Sequence, residues 1–258
     1  MTLDDELLSR ARELAFARKE GLLVGELPRE ELGADPVAAA YRLQEEAIHA
    51  YAVPVVGWKI GATSPAAREI MQTDAPFYGP LFEDAVFEGG ATLPLPPGLF
   101  GVEVEIVLRL GRDLPRGNAY TEADVEAAVA SVHPAMEIVA WRQLLQATAD
   151  AVLAIPDFAL SHALVLGEGV ADWRGLDLIG AAAACTVNGA HATEGRGGDA
   201  LGGPLAALLW LAENGPGLKA GDVVATGTIT GLAPAKPGDE VVGEVAGLGT
   251  VRMTAAAD

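Results

Sequence analysis

Residues 101–108 read Gly-Val-Glu-Val-Glu-Ile-Val-Leu, an aliphatic run broken by two carboxylates two positions apart. Its β-branched content predicts a strand, over 102–110. Side chains two apart on a strand share a face, so Glu103 and Glu105 project together, their backbones roughly 7 Å apart. Like charges at that spacing repel, and burying them unpaired is costly. A divalent cation resolves the conflict, and hard oxygen ligands on a rigid strand suit Mg2+ or Mn2+. The alternative is a plain wet strand face. Glu137 sits in a second apolar run, Pro134-Ala135-Met136-Glu137-Ile138-Val139, and is either a third ligand or a partner for Arg142. A site built only of Glu leaves coordination positions open for water and substrate. Four scattered histidines and the single cysteine give no zinc-ligand spacing.

The remaining pattern predicts a β-rich core with helices outside. The chain has 31 glycines and 16 prolines in 258 residues, well above the roughly 12% these two types share in an average chain. They fall between short apolar runs, as turns joining many strands do. Strands are expected at 55–60, 102–110, 135–141, 162–167, 182–188, 222–226, 240–245 and 249–254. Helices are expected from Leu3 (capped by Thr2) to Gly21, and from Asp35-Pro36 to about His49. Three more are expected: from Ser64-Pro65 to before Thr73, from the capping-box sequence at Thr121 to about Ser131, and over 204–213. The division is a helical N-terminal region, 1–53, beside a β-rich catalytic domain, 54–258.

A net charge of −19 argues against nucleic-acid or anionic-membrane partners, because phosphates would be repelled. A small anionic substrate remains possible where something local supplies positive charge. Cys185 lies in an apolar run and reads as core. One cysteine permits no internal disulfide, which fits a reducing compartment. The acidic start, Met1-Thr2-Leu3-Asp4-Asp5-Glu6, is unlike a signal peptide, and no apolar run reaches the roughly 18 residues of a spanning helix. The expected location is cytoplasmic.

Several stretches, in order, carry a family resemblance: Ala40-Tyr41-Arg42-Leu43-Gln44, Gly57-Trp58-Lys59-Ile60-Gly61-Ala62-Thr63-Ser64, Val102-Glu103-Val104-Glu105, Pro134 to Val139, Leu201-Gly202-Gly203-Pro204-Leu205, and Leu218 to Gly231 followed by Pro237-Gly238-Asp239. From about residue 37 to 253 the chain resembles the 2-keto-4-pentenoate hydratase and 4-oxalocrotonate decarboxylase branch of the fumarylacetoacetate hydrolase superfamily. The resemblance implies an α+β fold, a β-rich rolled mixed sheet with a small helical N-terminal part. It implies Mg2+ (or Mn2+) on Glu103, Glu105 and Glu137, with Lys59 as general acid/base. If partly buried, Lys59 would lose its proton easily. Segment 227–231 is expected to be a Gly-bounded turn after the 222–226 strand, either a plain turn or one whose Thr228 and Thr230 hold a substrate carboxylate, and Ser161 is expected to bind substrate as well. Phe77, Tyr78, Leu81 and Phe82 are expected either to line an apolar channel or to be core.

The implied activity is addition of water to a 2-hydroxy-2,4-dienoate in aromatic meta-cleavage catabolism, with a homo-oligomer expected. The alternatives are decarboxylation of a 4-oxalocrotonate-like acid, C–C hydrolysis of an acylpyruvate, or a non-catalytic relative that binds 2-oxo acids. The Gly-Trp-Lys-Ile-Gly motif disfavours the acylpyruvate hydrolases. Three departures bear on the substrate. Phe77 stands where many hydratases have an acid, with Asp74 nearby as a replacement. Ala140-Trp141-Arg142 and Asp157-Phe158-Ala159-Leu160-Ser161 replace Asp-Ser-Arg and Asp-Asn-Ala-Ser.

Overall fold

The computed structural model describes residues 5–98, 100–144 and 150–257. Helix α1 (Asp5–Glu20) has Asp5 and Glu6 in its first turn and Arg18 and Lys19 in its last, complementing the helix dipole. It buries Leu7, Ala11, Leu14 and Ala15, the stripe its spacing predicts. The expected Thr2 cap and Leu3 start lie outside the described residues. After β1 (Val24–Gly25) comes α2 (Pro36–Tyr51), where the Asp35 carboxylate accepts from the Ala38 N–H at 3.1 Å. Leu43 and Ala47 face inward, and Tyr41 stacks on Tyr78 with ring centroids 4.5 Å apart.

The chain continues through β2 (Val55–Gly61), α3 (Pro65–Ile70), β3 (Phe77–Phe82), β4 (Val86–Glu88), β5 (Ala91–Leu93) and β6 (Phe100–Leu110). Next come α4 (Glu122–Ala128), β7 (Val129–Ala140), β8 (Gln143–Leu144), α5 (Ala151–Ala154) and β9 (Ser161–Leu166). The last part holds β10 (Ala182–Val187), β11 (Ala190–Arg196), α6 (Pro204–Asn214), β12 (Val223–Ala233), β13 (Glu240–Val245) and β14 (Gly249–Ala255). Among the described residues, seven strands form a curled mixed sheet in the order β3-β2-β12-β6-β7-β9-β4. Five more form a second sheet, β11-β10-β13-β14-β5. The expected α+β class, with its rolled mixed sheet, holds.

The two sheets share one core. Val104, Ile106 and Leu108 of β6 and Met136 and Ile138 of β7 pack with Cys185, Val241, Val251 and Met253 of the second sheet. Strand alternation turns the remaining residues of β6 and β7 to the opposite face. That face is apolar around Leu81, Val107, Ala135, Leu164 and Ala225, and acidic beyond them. The N-terminal helices share a further core with Phe77, Phe82, Trp141 and residues 151–155, so they wall the acidic face.

Four local readings need correction. The helix from Thr121 stops at Ala128 and not near Ser131, because Val129 already pairs with Leu110. Strand β7 accordingly begins six residues before the expected 135. Strand β11 was not expected: Asn188 and Gly189, with φ of 51° and 77°, form the tight turn of a β10–β11 hairpin. Segment 227–231 is not a turn after a strand. It is a bulged part of β12, whose pairing with β6 shifts register on either side of Thr228.

Candidate active site

Antiparallel pairing sets Glu103 of β6 directly opposite Glu137 of β7, and Glu105 opposite Ala135. One carboxylate oxygen from each of Glu103, Glu105 and Glu137 lies within 4.8 Å of the others. Lys59 arrives from two strands away. It pairs with Ala225 of β12, which in turn pairs with Val107 of β6, so all four side chains share one sheet face. Alanine at 225 leaves room for the lysine to reach across, and its Nζ stands 3.3 Å from Glu137 Oε2. Glu137 therefore pairs with Lys59 and not with Arg142.

Burial makes this cluster unusual. Glu137 is 0%, Glu105 1% and Lys59 4% exposed. Glu105 Oε2 accepts from the Gly227 N–H at 2.9 Å. Gly227 has φ 103°, and a Cβ there would come within 2.4 Å of Thr63 Oγ1, so the approach requires glycine. Apart from its ion pair with Lys59, Glu137 has no hydrogen-bond donor on its buried carboxylate among the described residues. When ionised, three carboxylates against one ammonium leave two negative charges, with Glu105 and Glu137 buried and Glu103 half-buried at the edge of a cavity. A divalent cation on oxygen ligands fits that deficit in charge and in bonding.

The electrostatics agree. Burial pushes Glu103 up to about 7, against the pull of Lys59 and with help from Glu137. Burial, then Glu137 and Glu103, holds Glu105 well above the usual range. Glu137 is raised by burial in spite of Lys59. For Lys59 the sequence reading needs correction. Burial alone would lower it, but Glu137, Glu103 and Glu105 more than offset that, so it is raised and keeps its proton.

A carboxyl raised in the fold takes its proton there first, so stability falls as pH climbs from its unfolded value to its folded one. For Glu103 that window runs from 4.5 to about 7. The metal-free protein is expected to melt higher at pH 5 than at pH 7.5, with a shallower slope in Glu103→Gln. Thermal melts in chelator at a series of pH values check this. A melting temperature that stays flat or rises over that range would contradict it.

A cavity of about 460 Å³ opens from the cluster, with Lys59 and Glu103 at its polar end. Phe77 is buried and lines it, and so does Thr228. Of the other three candidate channel residues, Leu81 and Phe82 are fully buried core and Tyr78 packs against Tyr41. Asp74 is exposed and outside the lining, so it does not replace the acid absent at Phe77. Thr63 and Ser64 also line the cavity, though Ser64 Oγ caps α3 by accepting from Ala67 N–H at 3.1 Å.

Thr230 and Ser161 are not brought to the cavity. Thr230 Oγ1 accepts from Val104 N–H at 3.2 Å and donates to the Gly231 carbonyl, holding the bulge against β6. Ser161 is buried, and its carbonyl accepts from the guanidinium groups of both Arg18 and Arg142.

That arginine pair supports a cavity wall missed in the sequence. Phe158, Ala159 and Leu160 have φ of 53°, 52° and 67°, three consecutive non-glycine residues in the left-handed region. Such residues are strained by about 1–3 kcal/mol each and persist only where the surroundings dictate them. Here Asp157 accepts from the Arg142 backbone N–H at 2.7 Å and from its guanidinium at 2.8 Å. Arg18 adds a bond to the His162 carbonyl at 2.8 Å. Gly79 of β3 lies against the turn, where a Cβ would come within 2.4 Å of the Phe158 carbonyl oxygen. Ala159 and Leu160 are thereby pressed into the cavity. Burial, with the two cations adding to it, pushes the neighbouring His162 down to about 3.

The fumarylacetoacetate (FAA) hydrolase C-terminal family matches residues 47–256. The 2-keto-4-pentenoate hydratase of Burkholderia vietnamiensis (strain G4 / LMG 22486) is 32% identical, over 98% of this chain and 99% of that protein. The 2-hydroxyhexa-2,4-dienoate hydratase of Comamonas testosteroni is 34% identical, over 76% of each chain. Among solved structures, the 4-oxalocrotonate decarboxylase from Pseudomonas putida G7, complexed with magnesium and adipate, is 27% identical. It covers 98% of each chain with a TM-score of 0.88.

Proposed function

Because this chain belongs to the fumarylacetoacetate hydrolase C-terminal family, with curated hydratases related along nearly its whole length, we propose that it is a divalent-metal-dependent hydratase. It adds water to a 2-hydroxy-2,4-dienoate to give a 4-hydroxy-2-oxo acid, as aromatic meta-cleavage catabolism requires. The observation that carries the reading is the cluster of three carboxylates, Glu105 and Glu137 buried and Glu103 half-buried, with a buried lysine at the head of an apolar cavity.

Glu103, Glu105 and Glu137 would hold the ion, Mg2+ or Mn2+, and Gly227 fixes the Glu105 carboxylate. A bound ion supplies a Lewis acid for the carboxylate and 2-oxygen of the substrate, and local positive charge in a chain of −19. Lys59 holds a proton at Nζ, at the same end of the cavity. It is the residue that passes hydrogen between the 2-oxygen and the carbon skeleton: the 2-hydroxyl loses its proton and the terminal carbon gains one. Water then adds its oxygen to C4 and its hydrogen to C3 of the resulting 2-oxo-3-enoate. Thr228 supplies a hydroxyl at the cavity surface, and Phe77, Ala159 and Leu160 exclude bulk water.

The assay is turnover of 2-hydroxypenta-2,4-dienoate with added Mg2+, product followed by NMR. Lack of turnover in a chain that still binds Mg2+ and oxalate would remove the hydratase reading. Decarboxylation is the second reading, favoured by the TM-score of 0.88 to the decarboxylase. Release of CO2 from 4-oxalocrotonate measures it directly.

Lys59→Met is expected to keep Mg2+ affinity and to lose proton transfer by roughly 10²–10⁴-fold. Exchange of the C3 hydrogens of 2-oxopentanoate with deuterated water checks this without the full reaction. A near-normal exchange rate would rule the role out.

Among the described residues no helix is long and apolar enough to cross a membrane. The buried lone Cys185 supports a reducing, cytoplasmic setting. Exposed Phe16 and Leu22 support self-association, which sedimentation would measure.

A further inference from the structure

Beyond its polar end the cavity has a composition that the proposed chemistry does not demand. Among the described residues, Lys59 is the only cation lining it, and that ammonium is committed to Glu137 at 3.3 Å. Met71, Phe100, Trp141 and Leu160 line the remainder, with Ile70 and Leu232, 66% and 57% exposed, at the mouth. Arg68 shares α3 with Ile70, but its guanidinium donates to the carbonyl of Ala62 at 3.2 Å and lies outside the lining. The volume of about 460 Å³ equals about fifteen waters at liquid density. A five-carbon dienoate has about eight non-hydrogen atoms, each bonded and so smaller than a water, and fills well under half of that. Apart from the hydroxyls of Thr63, Ser64 and Thr228, the side chains bounding the rest are apolar and carry no charge.

We infer that the site selects 2-hydroxydienoic and 2-oxo acids whose far end is an apolar chain longer than one carbon, and selects against acids that end in a second carboxylate. The inference rests on the proposed function, which places the 2-oxo acid head at Lys59 and the carboxylates. Each methylene moved from water to the apolar wall tightens binding about fourfold. A second carboxylate there loses its hydration and meets no counter-charge. The apolar lip of Ile70 and Leu232 extends the same surface to the mouth.

The test uses the Mg2+-loaded full chain and calorimetric binding of pyruvate, 2-oxohexanoate and 2-oxoadipate. The last two share a six-carbon skeleton and differ only in the terminal carboxylate. Expected is binding of 2-oxohexanoate at least tenfold tighter than either of the others. Ile70→Arg places a cation at the mouth and is expected to narrow the ratio of 2-oxohexanoate to 2-oxoadipate affinity at least tenfold. Equal or tighter binding of 2-oxoadipate overturns the inference, as does 2-oxohexanoate no tighter than pyruvate. A ratio unmoved by Ile70→Arg assigns any selectivity to something other than missing charge, and overturns it too. These three results leave the hydratase reading standing. If none of the acids binds while Mg2+ does, the 2-oxo-acid head site itself fails, and the inference with it.

Discussion

Glu105→Ala is expected to weaken Mg2+ binding by on the order of 100-fold or more, and to abolish turnover, in a chain that still folds. Removing groups that merely orient a ligand typically costs 10–100-fold in metal affinity, so removing a ligand costs at least the upper part of that range. The fold tolerates the change because two effects oppose each other. The Gly227 N–H loses its acceptor, which costs about 1–3 kcal/mol. Against that, one of three mutually repelling buried carboxylates disappears, and its raised pKa shows how poorly the metal-free fold holds its charge. The sharpest readout is linkage. A ligand at 100 times its Kd stabilises the wild type by about 2.7 kcal/mol, or roughly 5–10 °C for a chain of this size. Glu105→Ala should show almost none of that Mg2+-dependent rise. A rise equal to that of the wild type would refute the ligand assignment.

Arg142→Ala should cost roughly 3–5 kcal/mol of stability, a fall in melting temperature on the order of 10 °C. Asp157 is 0% exposed and has the Arg142 backbone and guanidinium as its partners. Without the guanidinium it becomes a buried carboxylate short of a counter-charge. The Ser161 carbonyl also loses a donor, and the left-handed turn 158–160 loses its clamp. Because Ala159 and Leu160 line the cavity, KM should rise with the loss of stability. Arg142→Met combined with Asp157→Leu should recover part of the loss, since an apolar pair leaves no unpaired charge. Thermal and urea melts decide it, and a single-variant loss under 1 kcal/mol would show that the clamp is unnecessary.

The candidate site was legible to different depths. Glu103 and Glu105 could be read because two acids at strand spacing in an aliphatic run are locally anomalous. Glu137 was visible as an anomaly, but its choice between the acidic pair and Arg142 depended on the pairing of β6 with β7. Lys59 sits 44 residues or more from each of them in sequence, and its place came through Ala225 on the strand between. The direction of its pKa is hidden from sequence for the same reason: burial is foreseeable, three carboxylates around it are not. Thr230 looked like Thr228 in sequence, and only the bulge in β12 turned one to the cavity and the other to the backbone of β6. The turn at Phe158-Ala159-Leu160 had no sequence signal, since none of these residues favours positive φ. Two arginines remote from each other, Arg18 and Arg142, impose it.

Local chemistry in the sequence therefore determined the strand-rich class, the caps of α2, α3 and α4, the core place of Cys185 and the existence of a carboxylate pair demanding a partner. Those properties depend on period, turn residues and charge spacing, which act over a few neighbours. Tertiary structure alone decided the register that closes three carboxylates to within 4.8 Å, the gathering of those carboxylates around Lys59 that keeps it protonated in spite of its burial, and the apolar length of the cavity. Each of these depends on residues distant in the chain sharing one desolvated space. Free energies of charge there are set by everything that excludes water, and that is a property of the assembled fold.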